Sequence, residues 1–203
     1  MTDKPTVFIV DDDAAVRDAL GLLMRSASLE WEAYAGAKEF LTTDAAERPG
    51  CLVLDVRMPE VDGLELQRQL AARGSRMPII MLTGHGDVPM AVAALRAGAI
   101  DFIPKPFDSK LLMTRIQEAI ELDARTRKKR LGRAAIEERL ARLSPREKEV
   151  LDRIVDGLPS KAIAAALGSR FNTVQNQRAS ILKKMQAESV ADLVRMVMIA
   201  RVE

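Results

Sequence analysis

Apolar residues in the first 123 positions form short runs that alternate with longer stretches of helical spacing. TVFIV is followed by AAVRDALGLLMRSA, CLVLDV by GLELQRQLAARG, PIIMLTG by PMAVAALRAG, and IDFI by SKLLMTRIQEAIEL. Short continuous apolar runs predict strands buried on both faces, and a helix after each implies right-handed crossovers between parallel strands. With a weaker strand near WEAY there are five βα units. The expected fold of this half is α/β, a five-stranded parallel sheet covered by helices on both sides.

The pattern changes after residue 123. ARTRKKRLGRAAIEERLARL is charged and strongly helix-forming, which predicts a helical linker over 123–142, able to continue the helix before it. From Ser144 onward no strand pattern remains. SPRE is a capping box with proline at the first helical position, so a helix starts there and runs to about Asp156, where GLP stops it. SKAIAAAL, TVQNQRASILKKM and SVADLVRMVMIA supply three more helices, with a break at LGSRF. Four short helices joined by tight turns make residues 143–203 an all-α helix-turn-helix candidate.

A chain of 203 residues suits two modules, here 1–122 and 143–203 around the linker. There is no apolar run of about 18 residues, and the N-terminus has no basic segment followed by an apolar stretch. No membrane contact is expected, and the location expected is cytoplasmic. One cysteine, Cys51, excludes an internal disulfide, and with the one histidine, His85, it cannot build a zinc site. Any metal is expected to be oxygen-bound.

The net charge of +2 conceals an asymmetry. Residues 1–123 carry 13 Lys and Arg against 20 Asp and Glu, a net of −7; residues 124–203 carry 18 against 9, a net of +9. The second half is suited to approach a polyanion, unless the excess is simply solvated surface charge.

Polar residues at the carboxyl ends of strands in an open parallel sheet converge on one crevice. Asp11, Asp12 and Asp13 follow the first strand, Asp55 ends the third, Thr83 follows the fourth and Lys105 the fifth. Carboxylates brought together gain from a divalent cation, and a small oxygen-only set suits Mg²⁺. An aspartate beside it can act as nucleophile toward a phosphoryl group, with Thr83 donating to one phosphate oxygen and Lys105 neutralising another. Singly, each residue has a plainer role: Asp11 to Asp13 as a helix cap, Thr83 in a turn, Lys105 on the surface.

IVDDD, LDVRMPEVDG, MLTGHGDVPMAV and DFIPKPF, ordered and spaced as they are, resemble the receiver domain of two-component response regulators of the NarL/FixJ family, over residues 5 to about 122. The resemblance implies a flavodoxin-like sheet of strand order 2-1-3-4-5, with Asp55 accepting a phosphoryl group from a sensor histidine kinase. It also implies Mg²⁺ held by Asp12, Asp55 and the backbone carbonyl of Arg57, with Asp11 completing the acidic pair. Thr83 and Phe102 become the switch pair, Lys105 the phosphate-contacting lysine, and His85 a loop residue and not the phosphoryl donor. Thr83 gains by moving toward three new acceptor oxygens, and Phe102 can fill the space it leaves. Dimerisation at the surface between the fourth helix and fifth strand is the expected readout. From spacing alone, plain core packing is the other reading of Phe102.

On a helix over 172–185, Val174, Ile181 and Met185 share one direction and pack inward. Asn172, Asn176, Ala179 and Lys183 face the other way, flanked by Gln175 and Ser180, with Gln177 and Arg178 nearer the packed side. Amides there can pair with adenine in a major groove while basic residues hold phosphates. LSPREKEVL through SVADLVRMV is similar to the LuxR-type output domain of the same family, which makes double-stranded DNA the partner. The expected contact residues are Lys161, Arg170, Asn172, Thr173, Gln175, Asn176, Ala179 and Lys183. Ser169, Arg170, Asn172, Gln175 and Gln177 depart from that family's pattern, so its base preference does not transfer. RTRKKR is either a steering patch or a solvated helix face. Leu193, Met196 and Val197 in the last helix are either a dimer seam or core.

The expected function is a phosphorylation-switched transcription regulator, not an enzyme beyond slow autodephosphorylation. Two rivals remain. A haloacid-dehalogenase-like phosphotransferase needs a second aspartate two residues after the nucleophile, where this chain has Arg57. An RNA- or protein-binding module under receiver control is the other, with Phe171 the one aromatic in the basic half for stacking.

Overall fold

The structure, a computed structural model, describes residues 4–84 and 88–201. The described residues fall into two compact units, divided between Thr126 and Arg127.

The first unit is built on five parallel strands: β1 Thr6–Val10, β2 Glu30–Tyr34, β3 Gly50–Asp55, β4 Ile79–Thr83 and β5 Asp101–Pro104. Their order in the sheet is β2-β1-β3-β4-β5. The helices are α1 Ala14–Ser26, α2 Ala37–Leu41, α3 Gly63–Ala72, α4 Val88–Arg96 and the 33-residue α5 Ser109–Ala141, with a 3-10 turn at Ala45–Glu47. The apolar strands are continuous because both faces are covered. Phe8, Val10, Leu52, Leu54, Ile79 and Met81 pack on one face, with Phe40, Leu66, Leu70 and Ala94 of α2, α3 and α4. Val7, Ile9, Cys51, Val53, Ile80 and Leu82 pack on the other, with Leu20, Met24, Leu112 and Ile116 of α1 and α5. The two-residue period of a strand sorts alternate side chains between these two cores. Burial pushes the Cys51 thiol up to about 12, with the nearby Asp123 charge adding to the shift, so this cysteine is an inert core residue.

The crossover from β1 through β3 reverses beside β1, and the strand ends that point into that crevice carry the acidic residues. The loop after β3 is held close by Gly63, the first residue of α3. Its N–H donates to the Val56 carbonyl at 2.9 Å, and a β-carbon there would sit 2.2 Å from the Asp55 carbonyl oxygen. Only glycine lets α3 start this near the end of β3.

The second unit contains α6 Pro145–Val155, α7 Ser160–Ala166, α8 Phe171–Met185 and α9 Val190–Arg201. The capping box at Ser144 forms: Ser144 Oγ accepts from Glu147 N, and Glu147 Oε2 accepts from Ser144 N at 2.8 Å. Val150, Leu151, Ile154, Ile163, Val174, Ile181, Met185, Leu193 and Val197 form one core. Leu193 and Val197 are therefore core residues, not a dimer seam, and Met196 packs against them. Ile136 and Leu140, in the stretch read as linker, also belong to this core. Among the described residues no helix is long and apolar enough to cross a membrane.

Candidate phosphoacceptor site and nucleic-acid interface

The three aspartates after β1 have separate tasks. Asp13 caps α1, its Oδ1 accepting from Ala15 N at 2.8 Å. Asp11 is almost fully buried, its Oδ1 accepting from Asp13 N at 3.0 Å. Asp12 is exposed. Of the triplet, Asp13 caps the helix, while Asp11 and Asp12 stand with Asp55 in one carboxylate cluster. Arg17, one turn into α1, donates to the carbonyls of Asp11 and Asp12 at 2.7 and 3.0 Å and fixes the loop that carries them.

Asp55, at the end of β3, is buried beside Asp11. One carboxylate oxygen from each of Asp11, Asp12 and Asp55 lies within 4.8 Å of the others. Lys105 stands between them, its Nζ 2.6 Å from Asp11 Oδ2 and 2.7 Å from Asp55 Oδ1. Burial raises the Asp55 carboxyl above its ordinary value, the neighbouring aspartates add to the rise, and Lys105 opposes it. Burial alone would lower Lys105, but its hydrogen bonds to Asp11 and Asp55 outweigh that and hold the ammonium above its usual value.

Thr83 ends β4 fully buried, and its carbonyl accepts from Lys105 N at 2.6 Å, which ties the fourth and fifth strand ends together. Phe102, in register with Met81 on β5, packs half-buried at the edge of the core that includes α4. Arg57 lies two residues past Asp55 with its side chain exposed. His85 lies outside the described residues. An all-oxygen carboxylate cluster of this size suits a small hard cation such as Mg²⁺.

In the second unit, α8 presents Phe171, Asn172, Thr173, Gln175, Asn176, Ala179 and Lys183 to solvent, while Gln177 and Arg178 are half-buried. Arg170, just before α8, and Lys161 on α7 are exposed as well. Ser180 does not flank the exposed face as a free hydroxyl; it donates to Glu147 Oε1 at 2.7 Å. Lys184 donates to the other oxygen of Glu147, also at 2.7 Å. Arg146 donates at 2.6 Å to both the Leu167 carbonyl and Ser169 Oγ, bracing the turn between α7 and α8. Ser169, a departure from the family pattern, thus has a structural partner.

Three contacts have no strong signal in the sequence: Arg17 on the Asp11–Asp12 carbonyls, Glu147 on α8, and Ser160 on Gln175. Glu147 had a signal in the capping box, but that motif accounts for one of its partners and not for Lys184.

Comparison with known proteins matches residues 7–117 to the response regulator receiver domain and residues 141–197 to the luxR family of bacterial regulatory proteins. Transcriptional regulatory protein FixJ of Azorhizobium caulinodans is 41% identical over 202 residues, covering 100% of this chain and 96% of its own. Response regulator protein TodT of Pseudomonas putida F1 is 42% identical over 196 residues, covering 96% and 86%. The low-resolution structure of response regulator StyR superposes with a TM-score of 0.89 at 44% identity, covering 97% of this chain and 99% of that one. Full-length FixJ from B. japonicum gives 0.60 at 41% identity, covering 98% of each chain.

A receiver domain followed by a LuxR-type domain is the build of a response regulator, the output half of a two-component system. This chain belongs to the NarL/FixJ family of those regulators. It is a phosphorylation-dependent, DNA-binding transcription regulator, not an enzyme by function.

Proposed function

We propose that Asp55 accepts the phosphoryl group from a phosphohistidine of a sensor kinase, and that the product drives dimerisation and DNA binding. The observation that carries this is the Asp55 carboxylate at the end of β3, buried among Asp11, Asp12 and Lys105. An Asp55 oxygen attacks phosphorus, an O–P bond forms, the P–N bond breaks, and the imidazole leaves with the electron pair. Asp12, Asp55 and the Arg57 carbonyl would hold Mg²⁺, which supplies charge neutralisation between the carboxylates and the incoming phosphoryl oxygens. Lys105, now paired to both buried aspartates, transfers one contact to the phosphoryl group.

Phosphorylation brings close to two negative charges next to Thr83, whose hydroxyl is then drawn toward them. Phe102 moves into the space and alters the α4–β5 surface. Val88, Val92 and Leu95 support that surface as the dimer contact: they are exposed, apolar and spaced i, i+4, i+7 on α4. Two copies then set two α8 helices against paired half-sites, with Asn172, Thr173, Gln175, Asn176 and Ala179 toward bases and Lys161, Arg170 and Lys183 toward phosphates. Water reaching Asp55 from the exposed Asp12 side resets the switch slowly. The regulator works in the cytoplasm.

Selection of bound duplexes from a random pool, with and without acetyl phosphate, tests this reading. An enriched, roughly palindromic motif whose affinity rises with the donor is expected, and Asp55→Asn should lose the rise. No motif under any condition, or an undiminished rise in Asp55→Asn, overturns it.

A further inference from the structure

Gln175 lies on the exposed face of α8, yet one end of its amide is already engaged. Ser160, the first residue of α7, donates its hydroxyl to Gln175 Oε1 at 3.2 Å. That hydroxyl has no capping duty, since α7 is preceded by Pro159 and has no side-chain cap. Gln175 Nε2 has no partner among the described residues, and neither do the side-chain amides of the neighbouring Asn172 and Asn176.

We infer that Ser160 positions Gln175 as a donor-only reader, so that α8 selects guanine, not adenine, at the base pair it meets. This rests on the reading that α8 enters a major groove. An unconstrained glutamine reads adenine with both ends of its amide, accepting from N6–H and donating to N7. With one lone pair of Oε1 taken by Ser160 and that end of the amide held toward α7, the two N–H groups of Nε2 are its unengaged end. Guanine offers two acceptors there, O6 and N7, and thymine offers one, O4. Adenine offers one acceptor, N7, and sets its N6–H against the second Nε2 donor, and cytosine presents only a donor. Asn176, one residue on, keeps both ends of its amide and remains suited to adenine. Two adjacent amides of similar chemistry thus read different purines, and the difference lies in a serine on another helix. Ser160 is a positioning residue: it orients Gln175 and does not itself reach the base.

The test is selection of bound duplexes by the full-length protein in the presence of acetyl phosphate, run in parallel for the natural chain, Ser160→Ala, Ser160→Thr and Gln175→Ala. Gln175→Ala identifies the base pair concerned, as the one position in each half-site whose preference flattens. At that position the natural chain should prefer guanine over adenine by about tenfold. Ser160→Ala should reverse the preference toward adenine with the other positions unchanged, and Ser160→Thr, which keeps the hydroxyl, should retain guanine. A general weakening of α7 would lower affinity at all positions together and would not exchange one purine for another. Adenine at that position in the natural chain, or guanine retained in Ser160→Ala, overturns the inference while leaving DNA binding intact. Absence of any motif for all four proteins overturns the DNA reading itself, and the inference with it.

Discussion

Lys184 of α8 donates to the buried Glu147 carboxylate of α6 at 2.7 Å, so one basic residue of the helix proposed to enter DNA is committed to holding that helix in place. Ser180 and the Ser144 backbone N–H complete the shell around Glu147. The hydrogen bond from Lys184 is the main reason the Glu147 carboxyl is held at about 2, below its usual 4.5; burial opposes the shift, and Ser144 and Ser180 assist it. A depressed carboxylate contributes stability that is complete above its unfolded value and lost as pH falls through its folded value. The second unit should therefore lose on the order of 1–3 kcal/mol between about pH 4.5 and pH 2. Urea unfolding followed by far-ultraviolet dichroism checks this. Glu147→Gln should be less stable at neutral pH and nearly flat across the same window; a slope equal to that of the natural chain would refute the assignment.

Removing the cation between Asp11 and Asp55 should expose their repulsion. Lys105→Ala is expected to melt at lower temperature without divalent cation and to gain more from added Mg²⁺ than the natural chain, because three carboxylates lose their internal counter-charge. Thermal melts at several Mg²⁺ concentrations measure the difference. Chelation of divalent cations should halt phosphoryl acceptance from acetyl phosphate in both proteins, read as loss of the added phosphoryl mass.

Gly63→Ala places a methyl group 2.2 Å from the Asp55 carbonyl oxygen, a backbone atom that cannot rotate away. The start of α3 must shift, at a cost of about 1–3 kcal/mol to the first unit. Since the strain falls on the residue proposed to accept the phosphoryl group, acceptance should also slow. A variant with unchanged melting temperature and rate would contradict the close approach.

Lys183 and Asn176 should fail differently. Lys183→Ala is expected to weaken all duplexes about equally and to reduce the salt dependence of binding by about one ion. Asn176→Ala should cost about 1–3 kcal/mol on the preferred sequence and little on random DNA. Titrations of both sequences at several salt concentrations separate the two, and a uniform loss in Asn176→Ala would remove it from base reading.

Strands β1, β3 and β4 were legible because burial on both faces leaves continuous apolar runs, and β2 was faint because it is an edge strand with Glu30 and Glu32 in it. The crevice was legible too, since Asp11, Asp55, Thr83 and Lys105 each end or follow a strand of one parallel sheet. Which aspartate of the triplet caps α1 and which is buried was not legible from the residue pattern; only the resemblance to receiver domains set Asp11 and Asp12 apart from Asp13. Adjacent residues of one type differ only in the direction the backbone gives them, and Arg17 sets that direction.

The order of elements, the acid cluster, the capping box and the exposed face of α8 were determined by the sequence alone, because each follows from periodicity or from position at the end of an element. Tertiary structure alone decided which polar groups are already satisfied. Lys184 is occupied by Glu147, Ser169 by Arg146, and one end of Gln175 by Ser160, across separations of 37, 23 and 15 residues. A helical wheel shows where a side chain points, but whether its hydrogen-bonding capacity is still available to a ligand depends on partners that only folding brings within reach.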